Sequence, residues 1–260
     1  MYVIKEIVGF CISLLTPSFS ESGSILMYHS IGVNTKFSTV TPKKFEEQLS
    51  YLKKKGYTVI ALKEMITRIQ KKESLYKCVS LTFDDGFEDF YFTVFPLLKK
   101  YEIPASLFVT TGYLGGIMTT RQGQKFPIVS EAQLQEMATV SFVGLYPHTE
   151  KHPKFSEIST EEAIAEIEVS RQKLESITQR KTNIFAYPSG VTTEPVVSYL
   201  SKQGSWLGAV TVQSGLVDGN TNLFLLNRNA IDSAVGMWQF RMKLSDGIVR
   251  FNKLKKWIQF

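Results

Sequence analysis

The chain has 260 residues, of which 43% are hydrophobic and 12% aromatic, and carries a net charge of +6. That content supports a substantial core and excludes a disordered chain. Lys and Arg are interleaved with acidic residues and form no basic stripe or docking motif, so nucleic acid is not an expected partner.

The first 22 residues hold an apolar run, "IVGFCISLL" (7–15), shorter than the ~20 residues a helix needs to cross a bilayer. Lys5 before it and "SFS" after it resemble a weak signal peptide, while Glu6 and Pro17 do not. A packed or membrane-surface helix is favoured, with a cytoplasmic or membrane-associated location; export follows only if residues 1–20 are a signal. Cys11 and Cys78 both sit among apolar neighbours, and no disulfide is expected.

Residues 23–248 read as the main domain. "SILMYHSI" (24–31) is a strand. Thr41-Pro42 opens a helix that carries Phe45, Leu49 and Leu52 and stops at Gly56. "YTVIAL" (57–62) is a strand and "KEMITRIQKK" (63–72) a helix. Val79, Leu81 and Phe83 alternate with Ser80 and Thr82, so this run is a strand, and Asp84, Asp85 and Gly86 end it. Pro96 kinks or splits the helix that follows, and "ASLFVTT" (105–111) is the next strand. Residues 112–127 hold four glycines and neither period, which predicts a flap or binding rim.

A helix over 131–138 and a strand near 141–146 come next. Ser159 and Glu162 have capping-box spacing, ahead of a helix with Ile164, Ile167, Leu174 and Ile177 inward. "NIFAYP" (183–188), "WLGAVTV" (206–212) and "LFLLNRNAI" (223–231) are strands, and "PVVSYLSKQG" (195–204) is a helix. Residues 249–260 form a basic amphipathic helix that closes the domain or rests on an anionic membrane. Repeated strand–helix alternation means an α/β fold with parallel strands, either an open sheet or a barrel.

Two adjacent carboxylates at a buried strand end repel each other and lose hydration, so Asp84 and Asp85 need a positive partner. His148 and His152 stand four apart, the interval at which one helical turn presents two imidazoles to one ion. Two imidazoles and one carboxylate leave coordination positions open for water and substrate, the pattern of a hydrolytic site. The second aspartate then stays available as a proton acceptor. The chemistry does not decide which aspartate takes which role.

"TFDDG" (82–86), "HTEKH" (148–152) and "FAYPSG" (185–190) resemble three motifs of the polysaccharide deacetylases, the NodB-homology group or carbohydrate esterase family 4. The resemblance spans about residues 24–245. It implies a distorted (β/α) barrel of about seven parallel strands. By position it makes Asp84 the catalytic base and Asp85, His148 and His152 the ligands of a divalent cation, often zinc, with Co2+, Ni2+ or Mn2+ as alternatives. It places the Ser189 amide as oxyanion donor and, with it, Tyr187 and Pro188 beside the substrate. Two departures stand out: Ala186 holds the place where the family often has an Arg orienting the base, and no histidine follows His152. A branch acting on poly-β-1,6-N-acetylglucosamine shares a Tyr-His pair at the first strand, which assigns His29 as general acid. Arg228 near a late strand end either lines the groove or makes a structural ion pair.

The expected activity is metal-dependent removal of N-acetyl groups from N-acetylhexosamines of a bacterial surface polysaccharide or glycan precursor, by a monomer. The alternatives are a catalytically silent glycan-binding protein on the same fold and a deacetylase of a lipid-linked sugar.

Overall fold

A computed structural model describes residues 21–34, 38–120 and 122–248. The expectations for residues 1–20, including Cys11, and for the helix over 249–260 lie outside these residues. No described helix is long and apolar enough to cross a membrane. Cys78 is a buried free thiol.

Seven strands build the barrel wall: β1 (Ser24–Tyr28), β2 (Cys78–Phe83), β3 (Ala105–Val109), β4 (Val143–Pro147), β5 (Ile184–Ala186), β6 (Gly208–Val210) and β7 (Asn229–Ala230). Around the wall the order is β7-β1-β2-β3-β4, every pair parallel. Strands β5 and β6 form a separate parallel pair, and one bridge, Val210 to Leu226, returns toward β7. No ladder joins β4 to β5 among the described residues. Side chains cross there instead: Thr182 Oγ1 donates to the Leu145 carbonyl at 3.1 Å, and His148 Nδ1 meets the Ala186 carbonyl at 2.8 Å. This opening is the barrel's distortion, and a functional histidine spans it.

Strands buried on both faces need apolar residues in both phases of the pleat. One phase, with Ile25, Phe108, Tyr146, Ile184, Ala186 and Val210, makes one core cluster. The other, with Leu26, Tyr28, Leu81, Phe83 and Leu107, packs in a second cluster with helix residues such as Phe45 and Leu49. A third gathers Phe185, Tyr187 and Ala209 with Ile167 and Val196.

Helix α1 (Pro42–Lys54) starts where Thr41 accepts the Lys44 amide, and it buries Phe45, Leu49 and Leu52. Helix α2 (Leu62–Gln70) packs Met65, Ile66 and Ile69 in the cluster of Ile25. Ahead of Pro96 the chain makes a π-turn (Phe90–Val94), then helix α3 (Phe95–Tyr101). Helices α4 (Glu131–Ala138) and α5 (Thr160–Thr178) both open on capping boxes, that of α5 from Ser159 and Glu162. The buried face of α5 holds Ala163, Ile167 and Leu174, so Ile164 and Ile177 lie at its edge. Helices α6 (Glu194–Lys202) and α7 (Met237–Lys243) complete the described helices. The strand expected over 57–62 forms only at Thr58–Val59, beside the start of β2.

The aperiodic stretch after Thr111 is a 3-10 turn and an antiparallel hairpin, Ile117–Thr119 against Lys125–Pro127. Strands of three residues are too short to show a period. Phe126 stacks on Phe87 at 4.2 Å, which seats the hairpin beside the cleft at the C-terminal ends of the strands.

Candidate metal centre and active site

That cleft is lined by His29 from the end of β1, Asp84 and Asp85 from β2, His148 and His152 after β4, and Ser189 after β5. Tyr113, Met118 and Gln122 of the turn and hairpin form its rim, together with Val212 after β6. Active groups collect here because parallel strands all end on one face.

The Asp84 amide continues the ladder by donating to the Tyr28 carbonyl at 3.0 Å. Asp85 takes a left-handed φ of 72° and Gly86 one of 80°, which turns the two carboxylates apart. Asp85 Oδ1 lies 3.6 Å from His148 Nε2 and 3.5 Å from His152 Nε2. These separations exceed a normal hydrogen bond. Two ligand atoms on one cation, with bonds of about 2.1 Å at tetrahedral angles, stand about 3.4 Å apart. The three donors form a group whose ligand atoms all lie within 4.8 Å of one another. His148 Nδ1, set against the Ala186 carbonyl, can only donate, so Nε2 carries the lone pair that faces Asp85. The donor set fits a borderline divalent cation such as zinc.

The histidine pair is not helical. Residues 148–152 form a loop in which Thr149 (φ 66°) and His152 (φ 59°) are left-handed, and the rings stand 4.8 Å apart. The four-residue interval brings both rings into one group of donor atoms with Asp85, but on a loop and not on a helix.

Asp84 has a different partner. Arg228, fully buried, donates from both terminal nitrogens to the two Asp84 oxygens at 2.7 Å each. It also donates to the Thr82 hydroxyl at 3.1 Å and the Thr211 carbonyl at 2.7 Å. Of the two readings of Arg228, the structure shows the ion pair and not the groove lining, since the side chain is buried against Asp84. An Arg thus reaches Asp84 from the far end of the chain, although Ala186 holds the motif position.

Electrostatics separate the two carboxylates. Burial raises both, but the Arg228 guanidinium more than reverses this at Asp84 and holds it at about 2. Asp85 has no such partner; burial pushes it up to about 6, with the Asp84 charge adding to the rise and His29 opposing it. Burial brings His148 down to about 3, so its ring is neutral. A divalent cation among these donors would favour the ionised form of Asp85.

Tyr187 and Pro188 do not meet the cleft. The period of the pleat puts Tyr187 in phase with Phe185, where its ring packs and its hydroxyl donates to the Phe224 carbonyl at 3.0 Å. Ser189 is exposed at the apex of the turn, with φ 55°. Gly190 behind it also needs a positive φ, and a Cβ there would sit 2.2 Å from Val212.

Residues 71–206 match the profile of the family described as polysaccharide deacetylase. YxkH of Bacillus subtilis (strain 168), whose name assigns it to these deacetylases, is 30% identical over 207 residues, 78% of this chain and 69% of that protein. The chain belongs to the polysaccharide deacetylase family. A poly-β-1,6-N-acetyl-D-glucosamine N-deacetylase of Staphylococcus epidermidis is 25% identical over 77% of this chain and 72% of its own length. The Streptococcus pyogenes deacetylase PplD, solved in complex with acetate, superposes with a TM-score of 0.75 at 27% identity. It covers 88% of this chain and 100% of its own. These likenesses bear out the distorted barrel and make the protein a carbohydrate N-deacetylase.

Sequence reasoning missed that Arg228 pairs with Asp84, because 144 residues separate them and no local pattern links the two. It also passed over Glu166, a helix residue that no motif singles out.

Proposed function

We propose that this deacetylase removes acetyl groups from N-acetylhexosamine residues of a bacterial surface polysaccharide, using a divalent cation, zinc by preference, held by Asp85, His148 and His152. The observation that carries the reading is the division of the doublet: Asp85 faces the Nε2 atoms of two imidazoles while Arg228 keeps Asp84 ionised beside them. The named substrate of the staphylococcal relative supports the choice of sugar.

When bound, the cation would supply Lewis acidity to the amide carbonyl and acidify a water. Asp84, held at about 2, is a weak base that needs such an acidified proton source. Asp84 takes the proton of the attacking water as the water oxygen bonds to the acetyl carbon. The Ser189 N–H donates to the carbonyl oxygen as negative charge develops there. His29 gives its proton to the sugar nitrogen as the C–N bond breaks, releasing acetate and a free amine.

The test is acetate and amine release from N-acetylglucosamine polymers, with chelator and then with added zinc. Activity indifferent to chelation, or Asp84→Asn turning over at the wild-type rate, would end the proposal.

A further inference from the structure

A four-residue interval between ligands is usually enforced by a helix, yet His148 and His152 lie on a loop. Much of that loop is tied down by hydrogen bonds. The Thr149 hydroxyl donates to the His148 carbonyl at 2.6 Å and accepts the His152 amide at 3.0 Å. The Thr149 and Glu150 carbonyls accept the Thr111 and Gly112 amides at 3.2 and 2.8 Å. Gly112 is needed at that approach, since a Cβ would stand 2.6 Å from the Glu150 oxygen. The amides of Glu150 and Lys151, between the two histidines, both donate to one atom, Glu166 Oε2 on α5, at 2.9 and 2.8 Å.

We propose that Glu166 is a positioning residue for the cation site. By holding the two amides between the histidines, it sets where His152 Nε2 stands relative to His148 and Asp85. Its bonds to Glu150 and Lys151 run to backbone amides, so it acts through the backbone. The inference rests on the proposed reading of Asp85, His148 and His152 as cation ligands.

The argument for a site role over a merely structural one is where the cost falls. Left-handed backbone at two non-glycine residues, Thr149 and His152, costs of order 1 kcal/mol or more each and persists only where surrounding bonds enforce it. Glu166 is half-buried and the Lys151 amide it holds is near water. Without the carboxylate, water can satisfy the amides while the loop relaxes. The barrel keeps its core; the ligand set loses its spacing.

The experiment measures Zn2+ affinity by competition with a chromophoric chelator, and the visible spectrum of the Co2+ form. It compares wild type with Glu166→Ala, Glu166→Gln and Glu166→Asp, each checked by thermal unfolding without cation. Glu166→Ala should weaken binding by about 10- to 100-fold, the range for losing a group that orients a ligand, with an altered Co2+ spectrum. Glu166→Gln, whose carbonyl oxygen can accept both amides, should restore most of the affinity. Glu166→Asp, one methylene short, should fall between and serves if the alanine variant does not fold. Wild-type affinity in both Ala and Asp variants, or a Gln variant as weak as Ala, overturns the inference alone. Wild-type protein that binds neither ion overturns the cation-site reading and this inference together.

Discussion

Arg228 grips Asp84 with both arms of its guanidinium, at 2.7 Å each, inside a site where both side chains are buried. A buried carboxylate beside a second one would otherwise take up a proton, and a protonated Asp84 accepts nothing from water. On the proposed mechanism the ion pair therefore serves the chemistry, by keeping Asp84 ionised.

Arg228→Met should cost about 3–5 kcal/mol of unfolding free energy, the range for leaving one member of a buried pair alone. Because Asp84 lies at about 2, below its ordinary 3.8, the wild-type contribution is present above 3.8 and is lost as pH falls through about 2. In the variant, burial loses its largest opponent and the Asp84 pKa rises. Activity should drop by about 10² or more at neutral pH and recover in part toward higher pH. A kcat/KM profile superimposable on wild type would refute this.

Cation affinity should depend on pH through Asp85. Raised to about 6 without cation, it must lose its proton to bind, whereas His148, at about 3, is already neutral. Binding should weaken by at least about tenfold per pH unit below about 6, with proton release on the acid side. The sign for folding is the reverse of Asp84: ionising a raised carboxyl destabilises the cation-free protein as pH rises from 3.8 through about 6. Chelation should therefore lower the Tm more at neutral pH than at about pH 5. Titration calorimetry showing pH-independent affinity across that window would contradict the assignment.

His29→Ala should separate two leaving groups. On the proposed mechanism an amide needs its nitrogen protonated, so N-deacetylation should fall by about 10²–10⁴. An activated aryl acetate leaves without a proton and should be hydrolysed at close to the wild-type rate. Equal losses on both substrates would remove His29 from the acid role.

Ser189→Gly should keep activity near wild type, because the proposed donor is the backbone N–H and glycine tolerates a φ of 55°. A loss of about 10², the cost of deleting an oxyanion donor, would mean that the hydroxyl matters instead. Gly190→Ala is the counterpart: strained backbone and a collision with Val212 should lower the Tm.

Much of this protein is legible in order along the chain. Apolar periodicity located the strands that end in Asp84-Asp85 and precede His148, and capping chemistry located α1 and α5, since both signals act within a few residues. Composition and alternation left the barrel and the open sheet equal; the motif resemblance tipped the balance. Tyr187 was misplaced because a motif names neighbours, whereas the pleat decides which of them reaches the cleft.

The sequence alone therefore determined which side chains are candidates for the chemistry, because residue types and short spacings set what a donor or acid can do. Tertiary structure decided which groups meet: Arg228 under Asp84, a loop in place of a helix between two histidines, and Glu166 behind it. The reason is physical. Pairing across many residues depends on barrel closure and burial, and neither leaves a mark in any short window of the chain.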